Sequence, residues 1–268
     1  MPPDASASAP PDVVCSGLAK TFAGGIEVVR PLDVNLSAGR TTALLGPSGC
    51  GKSTLLRLIA GLETPSAGEV TIGGAPPSET LRDAGLSVAF QDPSLLPWRT
   101  VRGNIELALK LARKPADRGA VDRLIGLVGL DGFAETRPAA LSGGMRQRAA
   151  IARSMVTEPG LLLLDEPFGS VDELTRRQLA QDLPRIWEAR ETTTLLVTHS
   201  VSEAVLLSTR ILVFSPRPAE IVEDIAVDLP GRREPGLLHA PEFLELADAV
   251  SAALSKGTAA RQPSPTVQ

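Results

Sequence analysis

A glycine-rich segment that follows a short apolar run constrains the fold more than any other part of this sequence. The segment reads GPSGCGKST and matches the pattern GxxxxGK[ST]. Apolar residues 41–45 precede it, and leucines at helical spacing follow it as far as Gly61. A strand, a loop and a helix in this order can wrap phosphate groups in backbone N–H donors, whereas the same letters elsewhere are only a glycine-rich turn. The sequence therefore predicts an α/β core with a phosphate-binding loop made of Gly46, Pro47, Ser48, Gly49, Cys50, Gly51, Lys52, Ser53 and Thr54.

Three side chains of this loop have individual expectations. Lys52 is expected to reach the β and γ phosphates of a nucleotide, and the Ser53 hydroxyl is expected to ligate Mg²⁺. Cys50 lies at the start of the helix, where a thiolate is favoured. It is either a reactive thiol whose alkylation blocks nucleotide binding or an inert small residue.

Two adjacent acids end a run of four leucines further along the chain. Asp165 and Glu166 follow residues 161–164 directly. On its own, such a pair usually marks a strand that enters a solvated turn. Together with the phosphate loop, it predicts that Asp165 holds the Mg²⁺ shell and that Glu166 polarises an attacking water.

Strands and helices alternate along most of the chain. The uninterrupted leucines of 161–164 predict a buried strand, and the alternation around them predicts a mostly parallel sheet. A helical insert at about 93–158 is expected to separate two parts of a single domain that spans 12–254. Pro184 falls inside the helical pattern of 173–189, so a break is expected there.

Composition excludes several classes of protein. The chain has 268 residues, a net charge of −4 and two cysteines, and no uncharged apolar stretch approaches the roughly 18 residues that cross a bilayer. Nucleic acid is therefore not expected as a partner, and neither a structural zinc nor a disulfide framework is expected. Residues 1–11 lack the basic start and apolar core of a secretory signal. They are expected to be a disordered tail, as are residues 255–268.

The segment LSGGMRQR is the most specific feature of the chain. Ser142, Gly143 and Gly144 within it open a predicted helix, and by themselves they indicate an ordinary helix start or a small anion site. In order with the phosphate loop and the two acids, the segment resembles the signature sequence of ABC (ATP-binding cassette) ATPases. The resemblance extends from about Val13 to Phe214. It implies the P-loop NTPase fold of those ATPases: a mostly parallel sheet core, an antiparallel β subdomain and an α-helical subdomain.

The same resemblance implies roles for four further residues. Phe22 stands where the family places an aromatic ring against adenine; the less favoured alternative is a core residue. Gln91 resembles the glutamine that touches Mg²⁺ and the attacking water. Asp172 matches the acid that crosses the dimer interface, and it can also cap a helix. His199 resembles the histidine that contacts the γ phosphate, although a solitary histidine is more often structural.

The family resemblance also implies partners and a setting. Two copies would sandwich two ATP molecules head to tail, and the pair would power integral-membrane permease subunits at the cytoplasmic face of the inner membrane. A periplasmic or lipid-anchored solute-binding protein would take part indirectly. Residues 95–98 are the expected permease contact, unless Trp98 packs into the helical insert.

A resemblance to one subgroup of the family, less specific than the resemblance to the family itself, predicts the type of transport. The chain resembles the ATPases of bacterial importers for nitrate, sulfonates and taurine. The alternatives are a single cassette that acts on ribosomes or DNA, and a catalytically silent homologue. The second of these is disfavoured, because no catalytic position of the pattern is substituted.

Overall fold

The computed structural model describes residues 10–229 and 236–259. Most of the two predicted tails lies outside the described residues. The C-terminal helix, however, continues to Ala259 instead of ending near 254. Its last turns remain packed, since a Cβ added at Gly257 would lie only 3.1 Å from Val222 Cγ2. The sequence did not predict this packing, because the residues after 254 are mostly small or polar and show no apolar periodicity. At the other end, Pro11 is held by a hydrogen bond of 2.6 Å from Thr193 Oγ1 to its carbonyl.

The described residues contain strands and helices in nearly the predicted order. The strands are β1 Val13–Phe22, β2 Ile26–Leu36, β3 Thr41–Leu45, β4 Ala67–Ile72, β5 Leu86–Ala89, β6 Leu161–Asp165, β7 Thr193–Thr198, β8 Arg210–Phe214 and β9 Ile221–Ala226. The α-helices are α1 Lys52–Ile59, α2 Pro77–Arg82, α3 Val101–Leu111, α4 Arg118–Leu127, α5 Gly143–Met155, α6 Glu173–Asp182, α7 Pro184–Ala189, α8 Val201–Leu207 and α9 Pro241–Ala259. Two short 3₁₀ turns lie at Pro138–Ala140 and Leu237–His239.

The chain forms two compact units. We call one the P-loop unit; its described residues are 14–35, 41–70, 196–229 and 236–259. We call the other the signature unit; its described residues are 10–13, 36–40 and 71–195. The predicted helical insert falls wholly in the signature unit. The prediction of one domain over 12–254 stays a prediction.

In the P-loop unit, β3 pairs in parallel with β8, with Leu45 opposite Val213. Strand β9 then adds antiparallel to β8. All five residues of β3 are buried, which is typical of a parallel strand covered on both faces. Helices α8 and α9 pack against these strands. A separate antiparallel sheet has the order β2-β1-β4.

In the signature unit, β5 and β6 are parallel neighbours, with Ala89 opposite Leu164. Every residue of β6 is buried, as the run of leucines predicts. Helices α3, α4 and α5 pack together through their apolar faces. The predicted mostly parallel α/β fold with an antiparallel β part and a helical part is confirmed.

The predicted break at Pro184 is confirmed. Helix α6 ends at Asp182, and Pro184 is the first residue of α7, where its missing N–H costs no hydrogen bond. Helix α2 was not predicted, because none of its residues is buried and it carries no apolar periodicity. Within the described ranges, no helix combines the length and apolarity that crossing a membrane requires.

Candidate active site

The phosphate loop has a backbone that strongly favours glycine at two positions. Gly49 has φ +72° and Gly51 has φ +124°. A Cβ at Gly51 would lie 2.8 Å from the carbonyl oxygen of Val28, a contact that real Cβ atoms do not make. The chain therefore turns sharply out of β3 and enters α1 directly at Lys52.

The start of α1 is left without a side-chain cap. Gly51 is its N-cap and has no side chain that could cap the helix, and the first turn has no acidic residue. By contrast, Thr100 caps α3 and Ser200 caps α8 through their side chains. The N–H groups of a helix start and the positive end of the helix dipole fit an anion such as phosphate.

Lys52 lies within the loop and is only 4% exposed. Its Nζ donates to the carbonyl oxygens of Gly46 at 2.7 Å and of Pro47 at 2.8 Å. Cys50 Sγ is 3.7 Å from the same Nζ, and Cys50 is 1% exposed. The ammonium group is therefore held over the concave side of the loop, where it can meet a phosphate oxygen. The thiol of Cys50 has no open surface for a reagent.

Two other predicted residues belong to the P-loop unit. Phe22 ends β1 and is 39% exposed, so it is not a core residue. His199 follows β7 directly and is exposed. The residues on either side of it are fixed, because Ser200 N donates to Thr198 Oγ1 at 3.0 Å and that hydroxyl donates to Glu203 at 2.6 Å. Hydrogen bonds therefore hold the residues on both sides of the histidine at the end of β7.

The signature unit carries the predicted acids. Asp165 is the last residue of β6 and is 2% exposed. Glu166 follows with φ +47°, a left-handed conformation that is strained for a residue with a side chain. Gln91 Nε2 donates to Glu166 Oε2 at 3.2 Å. The predicted base and the predicted glutamine are therefore in direct contact, although they lie 75 positions apart in the sequence.

The signature segment forms the start of α5. Ser142 is the N-cap, and its Oγ accepts from Met145 N at 3.2 Å. A Cβ added at Gly144 would lie 3.0 Å from the carbonyl oxygen of Ser170, whereas one at Gly143 would meet nothing closer than 3.9 Å. Helix α5 therefore approaches the loop before α6 so closely that position 144 leaves little room for a side chain.

Asp172 caps α6. Its Oδ1 accepts from Thr175 N at 3.0 Å. The hydrogen bonds from Thr175 lower the pKa of the Asp172 carboxyl, and the charge of Arg148 lowers it further. The helix-cap interpretation of Asp172 is thus observed, and it leaves an interface role open.

Sequence reasoning missed the residues that support Gln91 and the segment after it. Arg153 of α5 donates to the carbonyl oxygens of Pro93 and Ser94, both at 2.8 Å. Asn104 is fully buried and bonds the backbone of Leu96 in both directions. The sequence signal was present, since a polar residue on the apolar face of a helix needs buried partners.

Comparison with known proteins identifies the family. The family model for ABC transporters matches residues 29–169. The chain belongs to the ABC transporter ATP-binding family. An aliphatic sulfonates import ATP-binding protein, SsuB 2 of Pseudomonas fluorescens, is 46% identical over 219 residues, which cover 82% of this chain and 78% of that protein. The protein of the same name, SsuB, in Escherichia coli K12 is 43% identical, with 86% of this chain and 87% of that protein covered.

Solved structures agree with this membership. The dimeric post-hydrolysis structure of the ATP-binding cassette MJ0796, bound to ADP and Pi, matches with a TM-score of 0.73 and 28% identity. The match covers 81% of this chain and 99% of that one. Another dimeric structure of the same cassette gives a TM-score of 0.71 at 29% identity. The chain is thus an ATP-binding subunit whose family couples ATP hydrolysis to transport.

Proposed function

We propose that the chain is the ATP-hydrolysing subunit of a bacterial importer for aliphatic sulfonates. The relatives named for sulfonate import, at 43 to 46% identity, carry this proposal. The intact set of catalytic residues supports hydrolysis against a silent homologue. The relatives also disfavour a cassette that acts on ribosomes or DNA.

The loop of the P-loop unit would hold the nucleotide. Its uncapped helix start and the buried Lys52 fit a triphosphate, and Phe22 offers an exposed ring for adenine. The Mg²⁺ ligands would be Ser53, Gln91 and Asp165, all oxygen donors of the kind that this hard cation prefers. When bound, the ion supplies charge neutralisation for the phosphates.

Glu166 would act as the general base. It follows β6 directly with a left-handed φ of +47°, a strained conformation of the kind that clusters at functional sites. One of its oxygens accepts from Gln91, so the amide orients the carboxylate. His199, which lies between the hydrogen-bonded residues Thr198 and Ser200, would orient the water toward the γ phosphate.

A second copy of the chain would complete each site. Ser142, Gly143 and Gly144 would close over the nucleotide of the partner copy, and Asp172 would lie at the interface. The dimeric state of the two similar cassettes supports this arrangement. Because ATP would bind the closed pair more tightly than the open one, binding can drive the closure and hydrolysis can release it.

The permease contact would be the segment of residues 95–98. Trp98 is 68% exposed, so it does not pack into the helical insert. Asn104 of α3 bonds the backbone of Leu96 within this segment. Arg153 of α5 donates to the carbonyl oxygens of Pro93 and Ser94, which lie between Gln91 and the segment. A displacement of this segment by the permease would therefore be transmitted both to Gln91 and to helix α5. The subunit would work as a peripheral protein at the cytoplasmic face of the inner membrane.

Reconstitution tests this function. The chain would be purified with the permease and solute-binding protein of its own operon and placed in liposomes that contain ATP and Mg²⁺. We expect uptake of labelled ethanesulfonate that depends on ATP and on the binding protein. Uptake of nitrate or taurine in preference to ethanesulfonate would refute the assignment of solute. Failure to recover any membrane-spanning permease with the chain would refute the importer.

A further inference from the structure

We propose that Lys20 is a positioning residue that sets the ring of Phe22 for the nucleotide base. Lys20 Nζ lies 4.8 Å from the centroid of the Phe22 ring, a cation–π contact. The proposal rests on the proposed adenine contact of Phe22. Lys20 itself need not touch the nucleotide.

The ammonium group is fixed by two further partners. Nζ forms an ion pair of 2.8 Å with Glu63 Oε2 and donates to the carbonyl oxygen of Thr64 at 2.7 Å. The Lys20 side chain is only 12% exposed. Its three N–H donors are thus matched by a carboxylate, a carbonyl and a ring face, which is the full capacity of an ammonium group. A cation held in this way cannot swing away from the ring.

The backbone next to the ring is fixed by the same segment. Ser66 Oγ accepts from Thr21 N and donates to Thr21 O, both at 3.0 Å. Ser66 N donates to Ala19 O at 2.9 Å. Residues 63–66 therefore hold the end of β1 on both sides of Lys20.

This holding segment is the continuation of the phosphate-loop helix. Helix α1 begins at Lys52, and Glu63 N still bonds the Arg57 carbonyl oxygen of that helix. The ring that would bind the base and the helix that would bind the phosphates are therefore tied together through Lys20 and Glu63. Their separation is preset for one nucleotide, which lowers the cost of ordering the site.

Lys20 is important for fixing the ring because residue 22 is a phenylalanine and not a tyrosine. The chain contains no Tyr, so no phenolic hydroxyl can fix the ring by a hydrogen bond. Lys20 occupies one face of Phe22, and the base would stack on the opposite face. A phenyl ring without this cation would rotate about χ1 and χ2 and would lose part of its stacking.

Binding of ATP and of tripolyphosphate to the Lys20→Met variant tests the proposal. Tripolyphosphate has the three phosphates but no base, so it reports the phosphate loop alone. Calorimetry with Mg²⁺ present is expected to show that the variant binds ATP about three- to tenfold more weakly. This is the loss expected when a cation–π contact and part of the stacking of the base on the ring are removed. Tripolyphosphate affinity is expected to be unchanged. Lys20→Arg should restore the affinity for ATP.

The controls separate the possible failures. Arg30→Met removes an exposed cation that pairs with Glu27 and Glu220, and it should change neither affinity. An equal loss of both affinities in Lys20→Met would show a merely structural role and overturn the proposal. Phe22→Ala tests the underlying adenine contact: if it leaves the preference for ATP intact, the base contact itself is wrong. If Phe22→Ala lowers that preference and Lys20→Met does not, only the role of Lys20 fails. Should Lys20→Met not fold, Lys20→Gln removes the same cation but keeps a polar side chain, and it carries the same comparison.

Discussion

Gln91 Nε2 donates a hydrogen bond of 3.2 Å to Glu166 Oε2. Gln91 is the second residue after β5 and Glu166 is the first residue after β6, and these two parallel strands are neighbours in the sheet. Because carboxyl ends of parallel strands lie at the same edge, the register alone brings these two side chains together. The residue that contacts the base therefore lies four positions before the segment of residues 95–98 that would meet the permease.

Replacement of the base by its amide should separate binding from hydrolysis. Glu166→Gln keeps the shape of the side chain but cannot take a proton, so we expect ATP turnover to fall by about 10²- to 10⁴-fold. ATP binding should persist, and a closed dimer should accumulate on size-exclusion chromatography with ATP. Glu173→Gln removes an exposed carboxylate of α6 and serves as the control. Turnover at the wild-type rate in Glu166→Gln would show that another group is the base.

Loss of the loop lysine should abolish tight nucleotide binding. Lys52→Ala removes an ammonium group that is almost fully buried and leaves the two loop carbonyls without their donor. We expect ATP affinity to fall at least 100-fold, measured by fluorescence of a labelled ATP analogue. Lys256→Ala removes an exposed charge of α9 and should have no effect. Undiminished affinity in Lys52→Ala would contradict the phosphate-loop assignment.

Two neighbouring glycines of the signature should differ in their tolerance of a methyl group. At Gly144, the new Cβ would lie 3.0 Å from the Ser170 carbonyl oxygen, which a backbone shift must relieve. At Gly143, no atom outside the immediate chain lies closer than 3.9 Å. We expect Gly144→Ala to lower the free energy of unfolding by about 1 to 3 kcal/mol. Gly143→Ala should lower it by less or raise it, because alanine favours helix. Urea unfolding measures both, and equal losses would contradict the close approach.

The two tryptophans should report different parts of the protein. Trp187 is 2% exposed and Trp98 is 68% exposed. We expect Trp187→Ala to cost about 3 to 5 kcal/mol in urea unfolding and Trp98→Ala to cost less than about 0.5 kcal/mol. In single-tryptophan variants that keep Trp98, acrylamide should quench the fluorescence strongly, and bound permease should protect it. Lack of protection in an assembled transporter would show that Trp98 is not at the contact.

The sequence predicted the elements with strong periodic patterns and left out contacts that depend on the tertiary fold. The buried leucines of β6 and the break at Pro184 follow from local chemistry, and both were expected. The phosphate loop was equally readable, because its glycines, lysine and serine are adjacent. By contrast, the bonds of Lys20 to Glu63 and Thr64 join residues more than 40 positions apart, and no local pattern predicts such a pairing. The strained backbone of Glu166 is likewise a property of the folded chain.

An ion pair whose strength depends on pH joins the parallel strand β8 to the antiparallel strand β9. Arg210 of β8 donates to both carboxylate oxygens of Asp224 on β9, at 2.8 and 2.7 Å. These hydrogen bonds lower the pKa of Asp224, while partial burial opposes them. A carboxyl with a lowered folded pKa stabilises the protein above its usual pKa of about 3.9 and loses that contribution as the pH falls through the folded value.

Asp224→Asn should therefore weaken the protein at neutral pH and flatten its acid response. Thermal unfolding followed from pH 7 to pH 3 is expected to show a lower Tm for the variant at pH 7 and a difference from wild type that shrinks below about pH 4. Because both side chains are partly exposed, the loss should be small and should decrease in high salt. Asp228→Asn, an exposed carboxylate just after β9, is the matched control. A Tm difference that stays constant across the whole pH range would show that Asp224 acts through packing and not through its charge.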